Sequence, residues 1–271
     1  MNWTDLFSCL CLALYALAVV ASFSGLLGRS PRLKALACAL CAGGFAAHSA
    51  WLAVSLCSGA FEGVSRGFYL LPLAWVLAAA GLFIFRRQRQ EIVLHFVSPW
   101  AFFLCACALG FSGAPASATV TGPLLWLHLA GMAVGIGVMA VAAGAGGMFL
   151  WQERAIKHKA RLAGFRRDLP ALGSLDAINS LATRIGFPCY SFGLLCGFLW
   201  SRIAWPSLMP GDLVKSGFSL LILLVYALLF HQRQALGWQG RKPAVLALVI
   251  FAACLVSLFV VNTFFSSQHG F

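Results

Sequence analysis

Residues 216–265 read SGFSLLILLVYALLFHQRQALGWQGRKPAVLALVIFAACLVSLFVVNTFF. Two apolar runs, Ser216–Phe230 and Ala244–Phe265, flank thirteen residues that hold every charge in the stretch. A bilayer core is crossed by about 20 apolar residues in a helix. Backbone groups in lipid must be satisfied internally, which leaves helices or closed barrels, and runs this long are not barrel strands. The stretch therefore predicts two membrane-crossing helices joined by a short basic connection.

The same pattern recurs toward the N-terminus. Further apolar runs fall at Leu6–Leu27, Ala35–Leu56, Gly67–Phe85, Ile92–Phe111, Leu124–Trp151 and Leu181–Ser201. The predicted fold is all-α: a polytopic integral membrane protein of about eight transmembrane helices, read as one domain over residues 1–271. Composition agrees, with 10% charged and 61% hydrophobic residues, where a soluble domain carries about a quarter charged. The start, MNWTDLFSCLCLAL, has no Lys or Arg ahead of its apolar run. That is unlike a cleaved signal peptide, so the segment is expected to be a span.

Charge sets the expected orientation. GRSPRLK, RRQRQE, the segment Gln152–Arg184 and HQRQALGWQGRKP are basic, whereas CSGAFEGVSRG, SGAPASATVTG, RIAWPSLMPGDLVK and the tail carry few charges or none. Every second connection holds almost all the cations, so the positive-inside rule places both termini on the non-cytoplasmic side. The same rule accounts for the net charge of +12. No basic face with interleaved aromatics lies outside the spans, so no nucleic-acid partner is expected. The ten Cys residues are scattered through apolar runs, where a thiol behaves as a small hydrophobe. Cys38 and Cys41 have redox-motif spacing but lack the βαβ setting of such a motif.

Six histidines remain. His158 falls in a basic connection, and His95 and His231 fall at inner helix ends. His48 lies well inside the second run, where an ionisable residue is costly and tends to be functional. His128 starts the fifth run and His269 follows the eighth, both at the expected outer face. Two imidazoles on different helices at one surface could clamp one metal. No Cys or carboxylate stands at zinc-site spacing from them, and none of the seven acidic residues is expected mid-membrane. Haem fits better, because its apolar macrocycle wants aromatic and aliphatic walls and takes axial imidazoles. Gly131 and Gly135 share His128's helix face. They suit either a flat ligand or a close-packed neighbouring helix.

The settings of these histidines are specific in combination. LHLAGMAVGIGVMAVAAGAGGMFLWQERAIKHK, LPALGSLDAINSLATRIGFPCYSFGLLCGFLW and the ending from LLVYALLFHQRQALGWQGRKP to SSQHGF resemble conserved segments of the cytochrome c assembly protein family, of the CcsA/HemX type. The resemblance implies haem, b-type and non-covalent, with His128 and His269 as outer axial ligands of its iron. It implies that His231 is the intramembrane histidine near the inner face and, more loosely, that His48 is a second-helix haem histidine. At ~1.5 Å rise per residue His48 lies ~20 Å from the inner end of its run. His48 could serve with the outer pair, and His231 could pair with His95. Trp200 and Trp205 match the first half of the family's Trp-rich haem-presenting loop. The second half, which contains WDPKE in the family, survives only as Asp212 and Lys215.

The resemblance thus implies a bacterial inner-membrane protein that binds haem and presents it at the outer face. Its partners would be a second cytochrome c assembly subunit and apocytochrome c. The eroded loop argues against cytochrome c synthase activity in this chain itself, and no catalytic side chain is assigned. An alternative is a HemX-like, haem-responsive regulator of glutamyl-tRNA reductase, with a soluble tetrapyrrole-synthesis enzyme docking on Gln152–Arg184. A small-molecule transporter is a third reading; it would need broken helices or inverted repeats, neither of which is evident.

Overall fold

The computed structural model describes residues 2–27, 30–57, 70–88, 92–110, 122–157, 170–204 and 210–261. They form eight α-helices and no strand among the described residues: α1 (Trp3–Leu27), α2 (Pro31–Cys57), α3 (Leu70–Gln88), α4 (Ile92–Gly110), α5 (Pro123–Lys157), α6 (Leu172–Ala204), α7 (Pro210–Gln234) and α8 (Arg241–Leu255). A π-helical segment, Val256–Val261, continues α8. Six of these helices are long and apolar enough to cross a bilayer; α4 contributes a shorter apolar stretch, Val97–Gly110. The chain is an all-α polytopic membrane protein, as its apolar runs predict.

Two compact units make up the chain. The first comprises Met1–Gly113 with Gln152–Ala171, the second Ala114–Trp151 with Leu172–Phe271. In the first unit α1 lies along α2, α3 along α4, and α1 also touches α4. The α1–α2 connection is tight for local reasons. Ser30 precedes α2, its hydroxyl accepts the Leu33 N–H, and Pro31 occupies the first helical position, where a missing N–H costs nothing. Gly44 of α2 lies flat under the Tyr15 ring of α1; a Cβ there would come within 2.8 Å of Tyr15 Cδ1. Small residues at such crossings let helices approach where lipid supplies no hydrophobic drive for association.

In the second unit α6 packs on α7, and α7 and α8 form the hairpin encoded by residues 216–265. Helix α7 shows which way the apolar surface faces. Ile222, Tyr226 and Leu229 are buried, while Leu220, Leu221, Leu224 and Leu228 stand exposed. An exposed leucine stripe on a helix of this length faces lipid.

Three helices exceed their expected spans by six residues or more at one end. Helix α5 runs on past Trp151 to Lys157, α7 starts at Pro210 instead of Ser216, and α6 starts at Leu172, more than two turns before Leu181. The segment Gln152–Arg184 is therefore not one connecting loop: both of its described ends are helical, and residues 158–169 lie outside the described residues. The cause is visible in α6. Leu175, Ile178 and Ala182 recur on one helix face and are buried, while Ser174, Asp176, Ser180 and Arg184 between them break up the hydropathy. The segment is amphipathic, so it folds as a helix without reading as a span.

Candidate functional site

His128 stands one turn into α5. Its Nδ1 lies 2.7 Å from the Gly193 carbonyl oxygen of α6. A carbonyl only accepts, so Nδ1 carries the proton and donates it. The Nε2 lone pair is then left available for a metal. This is the arrangement by which metal-binding histidines are usually oriented: one nitrogen on a backbone carbonyl, the other on the ion. The contact is possible because α5 and α6 are almost in backbone contact. A Cβ on Gly131 would fall 2.7 Å from Gly193 Cα, and one on Gly135 would fall 2.7 Å from Tyr190 Cα. Of the two uses open to these glycines, helix packing is the one seen. One turn beyond Gly193, Gly197 lies directly against the His128 ring, so that any side chain there would collide with the imidazole. The ring is thus set into a notch made by two glycines of α6. Trp200, three residues further along α6, is buried.

The other candidates are placed as follows. His269 and Trp205 lie outside the described residues, as does His158. His231 is exposed in the last turn of α7, and His95 belongs to α4. His48 is completely buried in the first unit. Its ring meets Tyr15 edge-on at 6.1 Å and Trp51 at 6.0 Å, and the Cys105 thiol lies 3.8 Å from its Nδ1.

Sequence reasoning missed a second constellation in the second unit. The Arg233 side chain, 3% exposed, meets Asp176 of α6 with Nη2–Oδ1 at 2.8 Å and Nη1–Oδ2 at 3.3 Å. Its Nη2 also donates to Asn179 Oδ1 at 2.7 Å, and Asn179 Nδ2 donates to the Ala142 carbonyl of α5 at 2.9 Å. Asp176 Oδ1 accepts the Gly240 N–H at 2.9 Å. Gly240 adopts φ +77°, a left-handed conformation that favours glycine. One ion pair thereby ties α5, α6, α7 and the α7–α8 turn together. It borders a cleft of about 580 Å³ whose other lining residues include Arg184, Trp238 and Gln239. The signal was present in the quoted segments: Asp176 in the LD pair, Arg233 two residues after His231, and Gly240 in GWQGR. Read as connection residues, they did not suggest burial.

A many-helix membrane protein with an imidazole oriented for ligation at one helix end is the class these features define. The comparisons narrow it. The family model described as Cytochrome C assembly protein matches residues 67–269, and the chain belongs to that family. Similar curated proteins carry the name cytochrome c biogenesis protein CcsA. That of Crocosphaera subtropica is 33% identical over 128 residues, 47% of this chain and 38% of that protein. That of Trichodesmium erythraeum is 37% identical over 97 residues, 36% of this chain and 27% of that protein. That of Chlamydomonas reinhardtii is 34% identical over 100 residues, 37% of this chain and 28% of that protein. The matched stretches thus span well under half of each relative's length. No solved structure matches the chain.

Proposed function

We propose that the protein takes part in cytochrome c assembly by holding haem through the Nε2 of His128, with His269 as the second axial ligand, for delivery to apocytochrome c at the outer face. The single observation that carries this reading is the Nδ1–H donation from His128 to Gly193. It fixes the tautomer a metal needs. The donor chemistry fits haem iron, since a neutral imidazole is its common axial ligand. When bound, the haem supplies the iron and vinyl chemistry of attachment. This chain's residues would hold and orient it: His128 is held by Gly193 and Gly197, and Trp200 and Trp205 are the proposed wall residues. No catalytic side chain is assigned. His231, exposed at the opposite end of α7 from Pro210, is the proposed receiving histidine at the inner face.

His48 stands outside this set in the proposal, because Tyr15, Trp51 and Cys105 already close around its ring. The alternation of basic and uncharged connections supports placing both termini outside, and the proposed location is a bacterial cytoplasmic membrane. No observation favours the regulatory reading. The relatives named above carry the assembly name, and Leu172–Arg184, part of the expected docking segment, is helix tied by hydrogen bonds to α5 and α7.

The test is optical. The full chain, purified in detergent and given haem, should show the spectrum of low-spin, bis-imidazole haem. His128→Ala and His269→Ala should each change it, and the double variant should lose it. A double variant with the unaltered spectrum would overturn the assignment.

A further inference from the structure

The first unit contains a cluster that haem binding in the second does not use. Cys11 of α1, His48 of α2 and Cys105 of α4 bring their ligand atoms within 4.8 Å of one another. All three residues are 0% exposed. The Cys105 Sγ lies 3.8 Å from His48 Nδ1 and 3.9 Å from Nε2. Metal bonds of ~2.3 Å to sulfur and ~2.0 Å to nitrogen, meeting at about 120°, would separate sulfur and nitrogen by about 3.7 Å. The Cys105–His48 spacing thus suits two donors on one small ion, and the Cys11 sulfur lies within 4.8 Å of both partners. One helical turn from Cys11, the buried Tyr15 hydroxyl has no hydrogen-bond partner, which sets an unsatisfied polar group beside the cluster as well.

We infer that Cys11, His48 and Cys105 form a binding site for a monovalent copper ion. The donor set excludes hard cations, because it contains no oxygen ligand and two sulfurs, which select soft ions such as Cu(I) and zinc. Coordination number then decides between those two. Structural zinc is almost always four-coordinate, and the described residues bring three Cys or His donors together here. Cu(I) is satisfied by three soft ligands. The ion would clamp α1, α2 and α4, so the site links metal loading to the order of the first unit. It also takes His48 out of haem ligation.

The experiment uses the full chain purified anaerobically in detergent. It is titrated with Cu(I) from a chelator-buffered stock and, separately, with Zn(II). One copper per chain is expected, with X-ray absorption showing sulfur and nitrogen neighbours. The Cys11→Ser/Cys105→Ser double variant should bind at least tenfold more weakly, while Cys9→Ser, at an exposed position on α1, should bind as the parent does. Size-exclusion profiles establish that each variant is folded. If the double variant is misfolded, His48→Gln supplies the same comparison. Four results would overturn the proposal: copper bound equally by parent and variants, zinc bound in preference to copper, a Cys11–Cys105 disulfide in the anaerobic protein, or loss of the haem spectrum on His48→Gln.

Discussion

Consider Asp176→Ala. It removes one residue but strips partners from two groups, the buried Arg233 side chain and the half-buried Gly240 N–H. Arg233 keeps Asn179 Oδ1 at 2.7 Å and the Trp238 carbonyl at 3.4 Å, yet loses its counter-charge while its side chain stays 3% exposed. Breaking a buried pair from one side costs about 3–5 kcal/mol, because it leaves an uncompensated charge. The half-buried Gly240 N–H loses its acceptor as well, which costs at most the about 1–3 kcal/mol of a fully buried orphan donor. The α7–α8 turn can open to water, which recovers much of the second term, so a net loss of about 4 kcal/mol is expected. That is a large share of the stability of an ordinary domain. The assay is thermal unfolding in detergent, read by the fraction of protein that stays monodisperse. A second variant isolates the cause. Asp176→Leu with Arg233→Met replaces the pair by apolar groups of similar size and should unfold nearer to the parent than Asp176→Ala does. If Asp176→Ala unfolds with the parent, or if the double variant is worse than the single, the ion pair is not what holds these helices together.

Two further predictions separate site from scaffold. Gly197→Ala puts a methyl group against the His128 ring and should break its bond to Gly193. Loss of such a partner typically lowers metal affinity by about 10–100-fold, so a haem titration should show weaker binding. Alanine favours a helix over glycine by about 1 kcal/mol, which offsets only part of the about 1–3 kcal/mol that overpacking costs, so a modest fall in unfolding temperature should accompany the weaker binding; unchanged haem affinity would refute the notch as a positioning device. Orientation is checked by fusing reporters that are active only outside or only inside the cytoplasm to either terminus. Both fusions should report the outside, and an inside signal from either would contradict the charge-based topology.

The sequence exposed what lipid enforces and concealed what water permits. Residues 216–265 reveal their hairpin because a bilayer demands long apolar runs and concentrates cations in alternate connections. The onset of α6 escaped for the opposite reason. Leu175, Ile178 and Ala182 are buried with polar residues between them, a pattern set by helix period and not by mean hydropathy. Partners were harder to see than elements. His128 was visible as an imidazole at a helix start, but its meaning depends on the carbonyl of Gly193, sixty-five positions away, which has no side chain to signal a role. Arg233 and Asp176 are fifty-seven apart and resembled ordinary interfacial charges until helix packing brought them together. Cys11 and Cys105 were concealed more fully still. Each alone is what a buried thiol in an apolar run should be, and neither lies at metal-motif spacing from His48. Only the crossing of α1, α2 and α4 converts three unremarkable residues into one donor set. Long-range convergence of this kind is a property of topology. His48, whose isolation inside an apolar run first suggested a function, is therefore the histidine whose surroundings argue for a different ion.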